Sequence, residues 1–326
     1  MTRLAIMRIN GSIFILTMLA AFTAGCDKTS APETQFDPVV RVAPEVAPQT
    51  RGSYTTETLK EFDLFIQSDN SKYSYNNTKF TKNESGEWEP ARQMLWEGKD
   101  RKFKFLAVAP SLATSGHYLT DDPVFEFTVE SVQTAGSKAS DLLWAGQGKD
   151  GITPSDEEYF KDGKFCFKFE HTLSLLKVKL TLGTEFNHNG VPENNPVSEL
   201  KINGFKPTVK VGYATLMPSG DPTEIQAYQT ADGWEKAEDK TKNCEVSFEC
   251  IVVPQIMDEF TVNFVCGGKP YTYTADLKDA DGNSFIFKPS NSYTLPLTVG
   301  KDEVIPGDEI TATEWGDGGT SSVETD

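Results

Sequence analysis

Only three histidines, at 117, 171 and 188, are available for imidazole chemistry, and one of them has suggestive neighbours. His171 follows Glu170 and precedes Ser174, so a base, an acid and a hydroxyl fall within five residues, the types a nucleophilic triad needs. Spacing argues against that reading. Adjacent strand residues point to opposite faces, so Glu170 cannot orient His171, and a structural histidine is expected. Asp279, Asp281 and Asn283 have the spacing that opens a calcium loop, but Ser284 stands where glycine is needed and no glutamate closes the twelfth position. A hairpin turn is expected there. Ser198 and Lys201 share the spacing of a serine–lysine hydrolase pair without its partner motifs. No HExxH, CxxC, phosphate-cradling glycine loop or GxSxG occurs. The chain reads as a non-enzyme, with no catalytic residue, no metal and no cofactor expected.

The five cysteines divide into one and four. Cys26 closes an N-terminal segment of export type: Arg3 and Arg8 give a positive start, Ile13 to Phe22 is an apolar run too short for a membrane span, and Thr23-Ala24-Gly25 leads into the thiol. Small residues directly before a cysteine resemble the bacterial lipobox, in which that thiol receives a diacylglycerol, the signal is cut and the new amino group is acylated. Lipidation at Cys26 is expected, and several acyl chains anchor far more firmly than one. Of the others, Cys244, Val246, Phe248 and Cys250 share one strand face, while Cys266 continues the apolar face of Val262 and Phe264. Cys244 and Cys250 lie roughly 20 Å apart along their strand and cannot pair with each other. Buried free thiols and a disulfide between neighbouring strands both remain open for Cys166, Cys244, Cys250 and Cys266.

The element that carries Cys166, Glu170, His171 and Ser174 runs from Phe165 to Leu182. Phe165, Phe167 and Phe169 alternate with polar residues, as do Leu176, Val178, Leu180 and Leu182, with a parity shift between the two sets. One long strand bent at His171 to Leu175 is expected, central to a sandwich. Similar alternation at Phe103 to Ala107 and Phe125 to Val129 reads as strands with one wet face. Amphipathic helices are nearly absent. The fold class is all-β.

With 326 residues, 38% of them apolar and 21 phenylalanines, the chain can build two cores. A net charge of −17 gives no reason to expect nucleic acid as a partner. Residues 1–25 read as the signal peptide and 26–51 as a proline-broken tether or propeptide, in which Val39, Val40, Arg41 and Val42 form a strand-competent run bounded by prolines. Arg51-Gly52 ends the tether, an extended arginine bond of the kind proteases cut; Arg41 is the weaker candidate. An N-terminal β-sandwich domain is expected over 52–187 and a C-terminal one, with an acidic tail, over 188–326. The Gly, Pro and Asn-rich stretch from Thr184 to Ser198 marks the boundary.

The phrases FKFEHTLSLLKVKL, DLLWA at Asp141 to Ala145, Val253-Pro254-Gln255, FIFKPSNSYTLPLTV at Phe285 to Val299, and Ile310 with Trp315 occur in this order behind the export signal. Together they resemble the fimbrillin family of Bacteroidales, the subunits of type V pili. The resemblance implies two transthyretin-like β-sandwich domains in tandem, export as an outer-membrane lipoprotein, and polymerisation after an arginine-specific protease removes an N-terminal segment. Shaft, anchor and tip roles are all compatible with these phrases. The expected partners are other pilus subunits, the outer membrane through the lipid anchor, and a host or bacterial surface glycan or protein. If Val39 to Val42 is removed at Arg51, an extended segment carrying Ile310, Ala312 and Trp315 is the candidate donor strand for the open groove. The alternative is a lipid-anchored adhesin or glycan-binding protein that never polymerises, with Trp88, Trp96 and Trp234 stacking on sugars.

Overall fold

Period-two alternation dominates the sequence, and strands are what it folds into. The computed structural model describes residues 36–47, 54–111, 125–134, 140–211, 216–279, 281–307 and 309–314. The first half runs through β1 (Val42–Val46), β2 (Glu61–Ser68), β3 (Tyr75–Lys82), β4 (Trp88–Pro90), β5 (Phe103–Ala109), β6 (Phe125–Thr128), β7 (Leu143–Ile152), β8 (Phe160–Lys161) and β9 (Lys164–His171). The second runs through β10 (Ser174–Leu182), β11 (Val197–Asn203), β12 (Thr208–Val211), β13 (Leu216–Ser219), β14 (Ile225–Gln226), β15 (Tyr228–Glu235) and β16 (Cys244–Val252). It ends with β17 (Ile256–Met257), β18 (Glu259–Cys266), β19 (Lys269–Asp276), β20 (Phe285–Ile286), β21 (Asn291–Val299), β22 (Val304–Pro306) and β23 (Thr311–Glu314).

Most of the first half forms one sheet, ordered β1-β9-β7-β5-β2-β3-β4, with β8 also on β9. One of its faces is aromatic. Phe62 stacks on Phe80 with centroids 5.2 Å apart and meets Phe167 and Phe169 edge-on, while Phe105 meets Phe165 at 4.8 Å. The opposite face carries Phe65, Leu106 and Val108, which join a continuous apolar cluster with residues of the second half. Phe103 to Ala107 therefore lacks the wet face its alternation suggested. Burial on both sides makes β2 and β5 near-continuous apolar runs, because each face has its own cover.

The second half builds a sandwich of β15-β16-β10-β21, with β22 and β23 along the free side of β21, and β14-β11-β18-β19. Leu176, Val178, Leu180 and Leu182 of β10 point inward. Outward, Lys177 pairs with Glu249 at 2.9 Å and Lys179 with Glu245 at 2.7 Å on neighbouring β16, which is why lysines alternate with leucines here.

The expected single bent strand is in fact two strands in different sheets. β9 belongs to the first sheet, whereas β10 pairs antiparallel with β16 and parallel with β21. Thr172 and Leu173 carry the chain across: the Thr172 N–H and hydroxyl both donate to the Leu142 carbonyl, and the Leu173 carbonyl accepts from the Ser290 N–H. The parity shift thus marks a change of sheet, not a bulge. Sheet membership changes ahead of the expected 187/188 boundary, and the Thr184 to Ser198 loop lies inside the second half, where the Asn187 amide donates to the Lys242 carbonyl at 2.7 Å. The halves are further joined by β6, which pairs with β12, and by the buried Gln133, whose amide exchanges hydrogen bonds of 2.7 and 2.8 Å with the Ile251 backbone. The described residues from Asp37 onward form one compact unit.

Candidate functional site at the tether strand

The chain upstream of Arg51 does pair with the first sheet, but the strand lies at Val42–Val46 and shares only Val42 with the Val39 to Val42 run. The strand proper is β1, Val42–Val46, parallel to β9, with Val42, Pro44 and Val46 opposite Phe165, Phe167 and Phe169. Val39 instead makes an isolated bridge to Leu95, and the Val40 N–H donates to the Met94 carbonyl. Pro44 was expected to end the strand, and the hydrogen-bond phase explains why it does not. The Arg41 carbonyl accepts from the Phe165 N–H and the Ala47 N–H donates to the Phe169 carbonyl, so odd-numbered residues face β9. Pro44 turns its missing N–H outward, where an edge strand tolerates proline.

The even-numbered side chains are the ones that matter for packing. Val40, Val42, Pro44 and Val46 are buried on the aromatic face, and each valine withdrawn from water contributes roughly 1.5–3 kcal/mol. β1 lies on the sheet rim, and the residues just before it are clamped by the 94–96 strap, whose Trp96 N–H donates to the Pro38 carbonyl. Tyr75 holds that strap from behind through two hydrogen bonds between its hydroxyl and the Leu95 backbone. Arg41, within this run, pairs with Asp37 at 2.5 Å; the Val39 N–H and this guanidinium hold the Asp37 carboxyl below its usual range. Cys26, Arg51 and Gly52 lie outside the described residues, as do His117 and Trp315.

At the other end of the chain, Ile310 and Ala312 pack partly against the second core. β23 lies antiparallel on β21, with Ala312 opposite Tyr293 and Glu314 opposite Asn291. The described part of the candidate donor segment therefore forms a rim strand of its own sheet.

His171 has a partner that its neighbours in sequence did not disclose. Its Nδ1 lies 2.8 Å from Asp141 Oδ1, with the side chains 2% and 0% exposed. Antiparallel pairing of Leu143 with His171 brings the two together across 30 residues of sequence, which spacing alone could not reveal. Glu170 points away and pairs with Lys168, and the buried Ser174 hydroxyl donates to the Lys288 carbonyl at 2.9 Å. A buried, structurally paired histidine offers no surface for a substrate. Tyr54, the first described residue after the Arg51 bond, sits close enough that burial, then the charges of Asp141 and Glu61, push its phenol up to about 12.

The remaining candidates resolve as structure. Lys201 is bound to Glu224 at 2.9 Å, which raises its pKa, the reverse of what a catalytic lysine requires, and a bulge separates it from Ser198. Asp279 caps its own turn, accepting from the Asn283 amide and from the Asp281 and Asn283 N–H groups, so its carboxyl is held low within a hairpin. Cys166, Cys244, Cys250 and Cys266 are free thiols; burial pushes Cys250 up to about 12 and Cys266 to about 11, far from thiolate reactivity. Trp96 is buried against Phe103 and Phe165, Trp88 meets Phe62 edge-on, and Trp234 packs on the second core. Among the described residues no cluster of three or more His, Cys, Asp or Glu could hold a metal, and no helix is long and apolar enough to cross a membrane.

Residues 50–315 match the sequence model of a family described as fimbrillin-like. No curated protein matches the chain. Among solved structures, the fold is similar to a candidate cell adhesion protein from Bacteroides ovatus (TM-score 0.56, 13% identity, covering 86% of this chain and 98% of that one). It is also similar to a candidate cell adhesion protein from Bacteroides uniformis (0.53, 20% identity, 84% and 98%) and to a fimbrial protein from Bacteroides vulgatus (0.52, 16% identity, 86% and 100%). At these identities the likeness is one of fold.

Proposed function

The chain belongs to the fimbrillin-like family, and from that premise we propose that it is a non-enzymatic subunit of a surface pilus, assembled by β-strand addition. Family membership supports a fimbrial or adhesin-like role. The observation that carries the finer reading is β1, a rim strand with three buried side chains that ends just upstream of the Arg51 bond. Cleavage there would free the segment bearing both the anchor and β1. Its departure would bare the backbone edge of β9 and the rings of Phe165, Phe167 and Phe169, a groove shaped for an extended segment with alternating apolar residues.

On this reading the chain is exported, lipidated at Cys26 and displayed at the outer membrane as two tandem sandwich domains, the first completed by its own tether. An anchor subunit would keep Cys26 and stay uncut; a shaft or tip subunit would begin at Gly52. The donor is the segment around Ile310, Ala312 and Trp315 of a neighbouring subunit, released from β21. N-terminal sequencing of surface-assembled protein tests this: a shaft or tip subunit should read Gly-Ser-Tyr. Filament incorporation of an Arg51→Ala protein as readily as wild type would rule out the maturation step, and an unlabelled precursor after feeding a fatty-acid analogue would rule out lipidation.

A further inference from the structure

An exposed apolar pair stands at one end of the second sandwich. In the two-stranded ribbon of β17 and β20, Ile256 and Ile286 are direct cross-strand partners on its outer face, 68% and 52% exposed, while Met257 and Phe285 turn inward. Two isoleucines side by side in water form a contiguous apolar spot where the inward face already supplies the ribbon's packing. Two lysines flank it. Lys206 is tied to the ribbon by reciprocal bonds between its backbone and the Gln255 side chain, and Lys288 follows Phe287, whose N–H donates to the Gln255 carbonyl. Both are exposed, and neither ammonium group pairs with a described carboxylate.

What covers the spot is indicated by where the chain leaves the second sheet. β23 runs antiparallel to β21 and ends with Glu314 opposite Asn291. Continuing past Asn291 leads toward the turn that joins β20 to β21. The Tyr293 hydroxyl donates to the Ile286 carbonyl at 3.4 Å, so the ribbon lies one tyrosine length from β21. The next residue is Trp315, and residues 316–326 add Asp317, Glu324 and Asp326 with no basic residue. Twelve residues can span up to roughly 40 Å, well beyond this distance. We propose that segment 315–326 docks on this ribbon, with the Trp315 indole on Ile256 and Ile286 and the acidic residues toward Lys206 and Lys288. The contact is intramolecular and holds the end of β23 in place in the unassembled subunit, whether or not that strand is later donated.

Fluorescence of the full chain tests it. The difference spectrum between wild type and Trp315→Phe isolates the Trp315 emission from the packed tryptophans. Blue-shifted emission protected from acrylamide is expected, independent of protein concentration. The Ile256→Ser/Ile286→Ser variant, whose changes lie on an exposed face, should shift that spectrum to the red and bring its quenching to the level of a free 315–326 peptide. Lys206→Glu/Lys288→Glu should do so in part, and added salt should mimic it in wild type. Water-like Trp315 emission in wild type would overturn the proposal, as would protection unaffected by either double variant. Protection that appears only as light scattering reports a dimer would assign the spot to a second copy and equally overturn it.

Discussion

β1 and β23 both lie on the rim of a sheet, near opposite ends of the described chain, and they are held in opposite ways. β1 is parallel to its neighbour and sends Val42, Pro44 and Val46 into an aromatic core. β23 is antiparallel to β21, and its residues are exposed at Thr311 and half-buried at Ala312 and Thr313. The first strand is therefore a plug and the second a loosely laid cover. The proposed strand exchange would benefit from this asymmetry: a strand seated in a hydrophobic groove would have to be removed covalently, whereas a donor would have to detach by thermal motion.

The strongest way to break this comparison is to place a charge on each strand. Val46→Asp sets a carboxylate among buried aromatics and should cost about 4 kcal/mol or more in urea unfolding, while Ala312→Asp should cost about 1 kcal/mol. Equal losses would mean that β23 is as firmly seated as β1.

Next in size is the junction between the sheets. Asp141→Ala leaves a buried histidine nitrogen without its acceptor beside Tyr54, and a loss of about 1–3 kcal/mol is expected with no change in any surface property. His171→Gln should be milder, since an amide can still reach Asp141. A hydrolytic activity that vanished in His171→Gln would contradict the structural role.

Alkali probes the second sheet selectively. Cys250 on β16 keeps its proton up to about pH 12 in the folded chain, against a reference of 9.0, because burial and the neighbouring Glu249 oppose the thiolate. Between those values the unfolded thiol has lost its proton and the folded one has not. Stability from this group is therefore complete below pH 9 and falls as pH rises through the window. Cys250→Ala should flatten the decline of stability measured from pH 9 to 11, and thiol reagents should leave Cys244, Cys250 and Cys266 unmodified in the native protein.

Much of this was legible in the chain itself, for definite reasons. Alternation at Phe165, Phe167 and Phe169 fixes which side chains face inward, since a strand has only two faces. It does not say which sheet a strand joins, so in sequence β9 and β10 read as one strand although they belong to different sheets. The outward lysines of β10 gave no hint of their glutamate partners on β16, and Asp141 was invisible as the partner of His171, because both contacts depend on register between distant segments. The tether strand is half legible: its valines suggest pairing, while its bounding proline suggests an end. Whether a proline ends a strand depends on which side its nitrogen faces, which only a neighbour can decide.

That dependence yields the sharpest test. In β1 the odd-numbered residues present their N–H groups to β9, so Glu45→Pro removes a ladder hydrogen bond and sets a ring against the partner strand, although the Glu45 side chain itself is exposed. A loss of about 3 kcal/mol is expected. Pro44→Ala does the reverse, restoring an N–H on the outward side where β9 cannot use it. It forgoes part of a buried ring and frees the unfolded chain, so the loss should stay below about 1 kcal/mol. Urea unfolding of the two variants reads the phase of the strand directly. If Pro44→Ala proved the more damaging, the even-numbered residues would be facing β9, and Val42 and Val46 could not be the side chains that fill the groove.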